Sequence, residues 1–105
     1  MNGKELRKIL LRKWGRSYAI QLRPVRDKIY FQVMWKYLEQ VSFPQSEVSY
    51  IEDLDTIVNY LLSWGILWQV LEYLEKTKEV PRVGKAISLP LDLGEISTEW
   101  IVDPY

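Results

Sequence analysis

The chain contains neither cysteine nor histidine, so no disulfide and no zinc site with sulfur or nitrogen ligands can hold it together. A fold of 105 residues must then be stabilised by burial of apolar surface. At this length about two thirds of the unfolded surface can be removed from water. Apolar residues make up 48% of the sequence, and no repeat, linker or low-complexity tract divides it. We therefore expect one domain over residues 1–105 with a single core.

The same two absences limit the chemistry. Without histidine bases or cysteine nucleophiles, catalysis would need carboxylate, lysine, tyrosine or serine side chains, or a bound cofactor. A cluster of carboxylates early in one predicted helix could bind a metal, but acidic residues there usually complement the helix dipole. We predict no catalytic residue, no metal site and no cofactor, and we favour a non-enzymatic protein while leaving an enzyme open. The clustered carboxylates are Glu47, Glu52, Asp53 and Asp55.

Apolar residues at helical spacing predict three helices. The first covers residues 3–14 and has Asn2 as its N-cap. The second begins after Ser46, a typical N-cap residue, and continues to Gly65. The third covers residues 66–76. The short joint at the glycine predicts that the second and third helices form an αα-hairpin.

Alternation of apolar and polar residues predicts a hairpin of two strands over residues 16–23 and 29–37. The loop between them, residues 24–28, begins with a proline, which cannot donate a hydrogen bond to a ladder. Apolar side chains on both faces of the second strand indicate a central strand with cover on each side. A third, short strand over residues 85–89 is ended by Pro90.

These elements predict an α+β fold in the order α-β-β-α-α-β, a small sheet with helices packed on it. The segment after Gly94 fits either a last helical turn or an edge segment, and the pattern does not decide between them.

Charge is divided along the chain. Residues 1–28 hold nine basic and two acidic residues, a net charge of +7, whereas the remaining 77 residues carry a net charge of −7. A protein with zero net charge can therefore have one basic and one acidic region, which favours oriented docking on charged partners.

The first predicted helix carries the densest basic surface, and we predict that this face binds an acidic protein partner. Nucleic acid is a weaker alternative, because acidic residues dominate the rest of the chain. An ordinary solvated helix face is the third interpretation. The residues of the predicted basic face are Lys4, Arg7, Lys8 and Arg12.

The loop before the third strand is a second candidate site. Arg82 and Lys85 flank Gly84, which would allow a small anion to approach the backbone closely. The loop lacks the glycine and hydroxyl pattern of a P-loop. A small anionic ligand, bound by a ligand-binding protein or an enzyme, is therefore the alternative function, and a plain helix-to-strand connection is the alternative structure.

The five tryptophans separate into two groups. Trp14, Trp35 and Trp64 lie on predicted inward faces, which favours core packing over a stacking surface. Trp68 lies off the apolar stripe of its helix, and Trp100 lies in the segment of undecided structure. These two are candidates for an exposed aromatic contact, since interfaces are enriched in tryptophan.

No apolar run approaches the roughly 18 residues needed to span a bilayer. The first residues lack the apolar stretch of a secretory signal. We therefore expect a soluble, cytoplasmic and monomeric protein.

Three segments resemble a small uncharacterised protein family of cyanobacteria and of the plastids of algae and plants. The resemblance extends from about Gly3 to Trp100. It implies the cytoplasm of an oxygenic phototroph, or the plastid stroma in eukaryotic relatives, and an accessory or assembly role steered by charge. It assigns no reaction and no binding residue. The segments are LLRKWGRSY (10–18), QVMWKYLEQ (32–40) and PRVGKAISLPLDLG (81–94).

Overall fold

Three helices and a three-stranded antiparallel sheet make up the part of the chain that the structure, a computed structural model, describes, residues 1–94. The α+β class and the predicted order of elements are confirmed. The helices are α1 (Gly3–Trp14), α2 (Glu47–Ser63) and α3 (Leu67–Lys76), and the strands are β1 (Tyr18–Val25), β2 (Lys28–Tyr37) and β3 (Ile87–Pro90).

The helices begin where their capping residues predict. The Asn2 side chain accepts a hydrogen bond of 2.9 Å from the backbone N–H of Glu5, and the Ser46 hydroxyl accepts one of 3.1 Å from Ser49. Each bond satisfies a backbone donor that has no partner within its own helix. At the other end of α1, Gly15 has a φ of 75°, a left-handed conformation that glycine adopts without strain.

The hairpin is tighter than the sequence predicts. Val25 pairs with Lys28, so the turn contains only Arg26 and Asp27, and the expected five-residue loop is wrong. Pro24 belongs to β1 and lies opposite Ile29. A proline is tolerated there because β1 is an edge strand in the order β1-β2-β3.

β3 likewise includes its proline. Pro90 is the last residue of the strand and pairs with Tyr30, whereas Lys85 lies outside the strand, so the predicted strand over residues 85–89 is shifted. β3 is the other edge strand of the described sheet, where a missing N–H is again tolerated.

A bulge in the hairpin interrupts the regular pairing of β2 near its end. Tyr18 pairs with Tyr37 and Ile20 with Val33, so Ala19 lies opposite three residues of β2. The extra residues are left without regular partners and disrupt the ladder locally. The expected core position of Trp35 is therefore wrong: its ring is partly exposed, outside the core cluster, with the Lys36 ammonium 5.5 Å from its centroid.

One face of the sheet carries the core and the other is partly open. Side chains such as Phe31 and Val33 are fully buried towards the helices. On the opposite face, Gln21 donates to Gln32 over 2.6 Å and Gln32 donates to Ser88 over 3.0 Å. β2 is the central strand, as predicted, but the expected cover on both faces is wrong for residues 1–94, because the helices pack on one face only.

α2 joins the sheet to the other helices. Its Tyr50 is buried, and the phenol donates a hydrogen bond of 2.7 Å to the backbone carbonyl of Tyr18 at the start of β1. Burial raises the pKa of Tyr50 above its usual value, so the phenol keeps its proton and remains a donor.

The start of α1 lies in direct contact with the α2 backbone. The Gly3 N–H donates a hydrogen bond of 2.6 Å to the carboxylate of Asp55, which also complements the dipole at the α1 N-terminus. A Cβ atom at Gly3 would lie 2.7 Å from the backbone nitrogen of Asp55 and 2.7 Å from the carbonyl oxygen of Ile51. Only glycine allows this approach.

The contact predicts an unusual sign for Gly3→Ala. In an ordinary helix this substitution stabilises the fold by about 0.5–1 kcal/mol. Here the added methyl group must displace the backbone of α2, so we expect the free energy of unfolding to fall by about 1–3 kcal/mol. Urea denaturation measures it, and a variant as stable as the wild type or more stable would contradict the close packing.

Candidate interaction surface on helix α1

The four cations of the predicted basic face have two different environments. Arg7 is half-buried and forms ion pairs, whereas Lys4, Lys8 and Arg12 are exposed. Within residues 1–94, none of the three exposed cations forms an ion pair. We call these three residues the basic stripe. They recur every four residues and therefore lie along one side of α1.

Arg7 connects three segments of the chain. Its Nε donates a hydrogen bond of 3.0 Å to the hydroxyl of Ser17, and its terminal nitrogens lie 3.0 Å from a carboxylate oxygen of Glu47 and 3.5 Å from one of Glu39. Its side chain is only 22% exposed. The prediction that Arg7 belongs to an outward basic face is therefore corrected, because its charge is used inside the protein.

Ser17 is the fully buried centre of this network. Its N–H donates to Glu39 over 2.7 Å, its hydroxyl accepts from Arg7, and its carbonyl accepts from the N–H of Leu38 over 3.0 Å. Each polar group of the residue thus has a partner, as burial requires. The alternating pattern around Ser17 gave no indication of this role.

Glu39 is held in its charged form. Its partial burial acts to raise the pKa, but the hydrogen bonds from the Ser17 backbone and hydroxyl, together with the charge of Arg7, outweigh burial and leave the pKa below its usual value. The carboxylate of Glu39 therefore remains ionised at neutral pH.

The end of α1 is fastened to the end of α3. The ammonium of Lys13 donates to the backbone carbonyls of Thr77, over 2.6 Å, and Glu75, over 3.4 Å. A cation at these carbonyls complements the negative end of the α3 dipole. The Trp14 indole N–H donates to the carbonyl of Glu79 over 3.3 Å. These contacts fix the distance between the two helices at this end.

A groove of about 460 Å³ lies between α1 and α3. Its apolar lining comes from both helices, and Arg12 of the basic stripe is part of one rim. The opposite rim carries the exposed carboxylate of Glu75. The lining residues are Ile9, Arg12, Lys13, Leu71, Leu74 and Glu75.

The second predicted site is a tight turn. Arg82 and Lys85 each donate a backbone hydrogen bond to the other's carbonyl, over 3.1 Å and 2.7 Å, and Gly84 has a φ of 78°. Both side chains are exposed, and Val83 between them is 86% exposed. Two of the N–H groups that could bind an anion are thus already used within the turn.

The aromatic candidates have different outcomes. Trp68 is 61% exposed on α3, in agreement with the prediction for its position. Trp100 lies outside the described residues. Trp64 is buried and Trp14 packs against the core, as predicted.

The acidic residues of α2 do not form one site. Glu47 pairs with Arg7, Asp55 caps α1, and Asp53 accepts a hydrogen bond of 2.6 Å from Gln45. In residues 1–94, no group of three or more potential ligands could hold a metal ion. Among the same residues, no helix is long and apolar enough to cross a membrane.

Residues 4–101 match the model of a protein family described as a domain of unknown function, DUF3067. The chain belongs to this family. The match covers nearly the whole sequence and confirms the resemblance to an uncharacterised family.

The DUF3067 chain is similar to a cyanobacterial protein of solved structure. That structure is the solution NMR structure of the Alr2454 protein from Nostoc sp. strain PCC 7120. The two chains are 56% identical, the alignment covers 97% of this chain and 98% of the Nostoc chain, and the TM-score is 0.86. The two proteins therefore share the α+β fold described above. A search of curated proteins finds no match.

The Glu39 environment predicts acid sensitivity of this DUF3067 protein. Because the folded pKa lies below the usual 4.5, the carboxylate stabilises the fold above that pH, and the contribution is lost as the pH falls through the folded pKa. We expect Glu39→Gln to lower the free energy of unfolding at neutral pH. As the pH is lowered, this free energy should fall less steeply in the variant than in the wild type. Denaturation at several pH values measures both.

Glu52→Gln, which removes an exposed carboxylate of α2, is the matched control. Its free energy of unfolding should fall with decreasing pH as steeply as that of the wild type. If Glu39→Gln declined as steeply as the wild type, the proposed environment of Glu39 would be incorrect.

Proposed function

We propose that this protein is a non-enzymatic interaction module whose basic stripe, Lys4, Lys8 and Arg12, docks on an acidic protein. The observation that carries the proposal is that the three cations are exposed, aligned on one helix and, among residues 1–94, without ion pairs. Such cations are free to meet carboxylates of a partner at no cost to the fold.

The spacing of the stripe favours an extended acidic surface over a single anion. Residues four apart in a helix are separated by about 6 Å along its axis. Three charges in a row therefore cover about 12 Å, which matches several carboxylates on a protein surface. Complementary charge of this kind mainly accelerates association and orients the partner.

Two sets of contacts hold α1, and with it the basic stripe, in a fixed position. The Arg7 network fastens the middle of α1 to the starts of β1 and α2, and Lys13 fastens its end to α3. A helix held in this way presents its outer charges without a cost of ordering its backbone at the moment of binding.

The relative from Nostoc supports a cytoplasmic location in an oxygenic phototroph. An accessory or assembly role there, and the plastid stroma as the location in eukaryotic relatives, are part of the proposal. An acidic protein is favoured over nucleic acid because exposed carboxylates such as Glu52 and Asp53 would repel phosphates elsewhere on the surface. A small anion at the Arg82–Lys85 turn is less favoured, since two backbone donors there are already used.

The proposal predicts the effect of Lys4→Glu/Lys8→Glu/Arg12→Glu on partner capture. The tagged variant and the wild type are incubated at low salt with a nuclease-treated cyanobacterial lysate. We expect the wild type to retain an acidic protein that moderate salt releases, because exposed charge pairs are screened within about 8 Å at physiological ionic strength. The variant should retain about tenfold less of it.

The matched control is Arg23→Glu/Arg26→Glu/Lys28→Glu at the exposed end of the β1–β2 hairpin. It makes the same change in net charge away from α1 and should retain the partner. Equal loss in both variants would show a general charge effect, and retention by the stripe variant would disprove the docking role of α1.

A further inference from the structure

The groove between α1 and α3 adjoins the basic stripe directly. Arg12 belongs to both, because it is the last residue of the stripe and part of the groove rim. A partner that lies on the stripe would therefore also lie over the apolar side chains of Ile9 and Leu71. Docking through charge alone would not involve this apolar surface.

Among residues 1–94, the way in which the helices are fastened leaves this groove open. α1 lies mainly against α2 and meets α3 over a shorter length. Lys13 holds the two helices together only at the α3 C-terminus, through the carbonyls of Glu75 and Thr77. Leu71 is consequently only partly buried, although it lies one turn from the fully buried Leu74.

The two rims of the groove carry opposite charges. Arg12 and Lys13 line the α1 side, and Glu75 lines the α3 side. Carboxylates of an occupant would be attracted to α1 and repelled from α3. The occupant must then have an apolar face for the floor and acidic residues on the flank that faces α1.

We propose that the groove binds an acidic amphipathic helix of the partner protein, with its apolar side chains over Ile9 and Leu71 and its carboxylates against Arg12 and Lys8. Helix-in-groove docking of this type uses apolar residues at spacings of three and four. The inference rests on the proposed function and specifies the chemistry of the partner: a helix with one acidic flank, rather than an acidic surface in general.

Synthetic peptides provide the probe. The first is a helical peptide with leucines at positions i, i+3, i+4 and i+7, glutamates on one flank and glutamines on the other. In the second the leucines are serines, and in the third the glutamates are glutamines. We expect the first peptide to bind the full chain and each comparison peptide to bind at least about tenfold more weakly, since each lacks one of the two required contacts.

Variants of the protein locate the binding site. Leu71 is not part of the core, so Leu71→Gln leaves the fold intact and should weaken binding of the first peptide about tenfold. Glu75→Lys removes the repulsive rim and should strengthen binding. Trp68→Gln, at an exposed apolar position of the same helix, is the matched control and should leave binding unchanged.

The outcomes separate this inference from the proposed function. If Lys4→Glu/Lys8→Glu weakened peptide binding while Leu71→Gln did not, docking would depend on charge alone, and the groove proposal would be overturned while the basic stripe kept its role. Loss of binding in Trp68→Gln but not in Leu71→Gln, or no binding of the first peptide to the wild type, would also overturn it.

Discussion

The guanidinium group of Arg7 determines how the segments of this protein fit together. It binds Ser17 before β1, Glu47 in the first turn of α2 and Glu39 after β2, so one side chain of α1 contacts three segments that are far apart in the sequence. Hydrogen bonds that involve an ionised group are stronger than those between neutral groups. Removing one partner leaves the other unpaired, which destabilises the fold. The network thereby fixes the rotation of α1 about its own axis. Because that rotation turns Arg7 inward, Lys4, Lys8 and Arg12 face solvent.

The division of charge along the chain is thus partly cancelled within the fold. Arg7 pairs with two carboxylates, Lys13 caps α3, and the guanidinium of Arg16 lies 4.5 Å from the ring centroid of Tyr37. The basic surface that remains is smaller than the net charge of residues 1–28 suggests, but it is better defined, since it lies along one side of one helix. This surface continues into an apolar groove that has one basic and one acidic rim. The two rims favour one orientation of a bound partner.

The helices and the central strand could be predicted because local chemistry determines them. Features that depend on contacts between distant residues could not be predicted. Asn2 and Ser46 act on N–H groups three residues away, and their effect can be seen in the sequence. The bulge opposite Ala19 depends on how two strands pair, so the alternation around Trp35 did not predict its position outside the core. The basic stripe could be predicted from the spacing of four residues. Arg7 lies beside it on the same helix, and only its contacts with residues distant in the sequence, Glu39 and Glu47, distinguish it from the exposed cations. The groove requires the relative placement of two helices, which the sequence does not contain.

A comparison of Arg7→Met with Lys8→Met tests most directly whether neighbouring cations of α1 have different roles. Both variants remove one positive charge from the same helix and replace it with a side chain of good helix propensity. We expect chemical denaturation to show a loss of about 2 kcal/mol in the free energy of unfolding for Arg7→Met, because the partly buried hydrogen bond to Ser17 and the ion pairs with Glu39 and Glu47 are lost together. Lys8→Met should remain within about 0.5 kcal/mol of the wild type, as exposed substitutions usually do. Equal stability of the two variants would contradict the internal role of Arg7 and, with it, the orientation of the basic stripe.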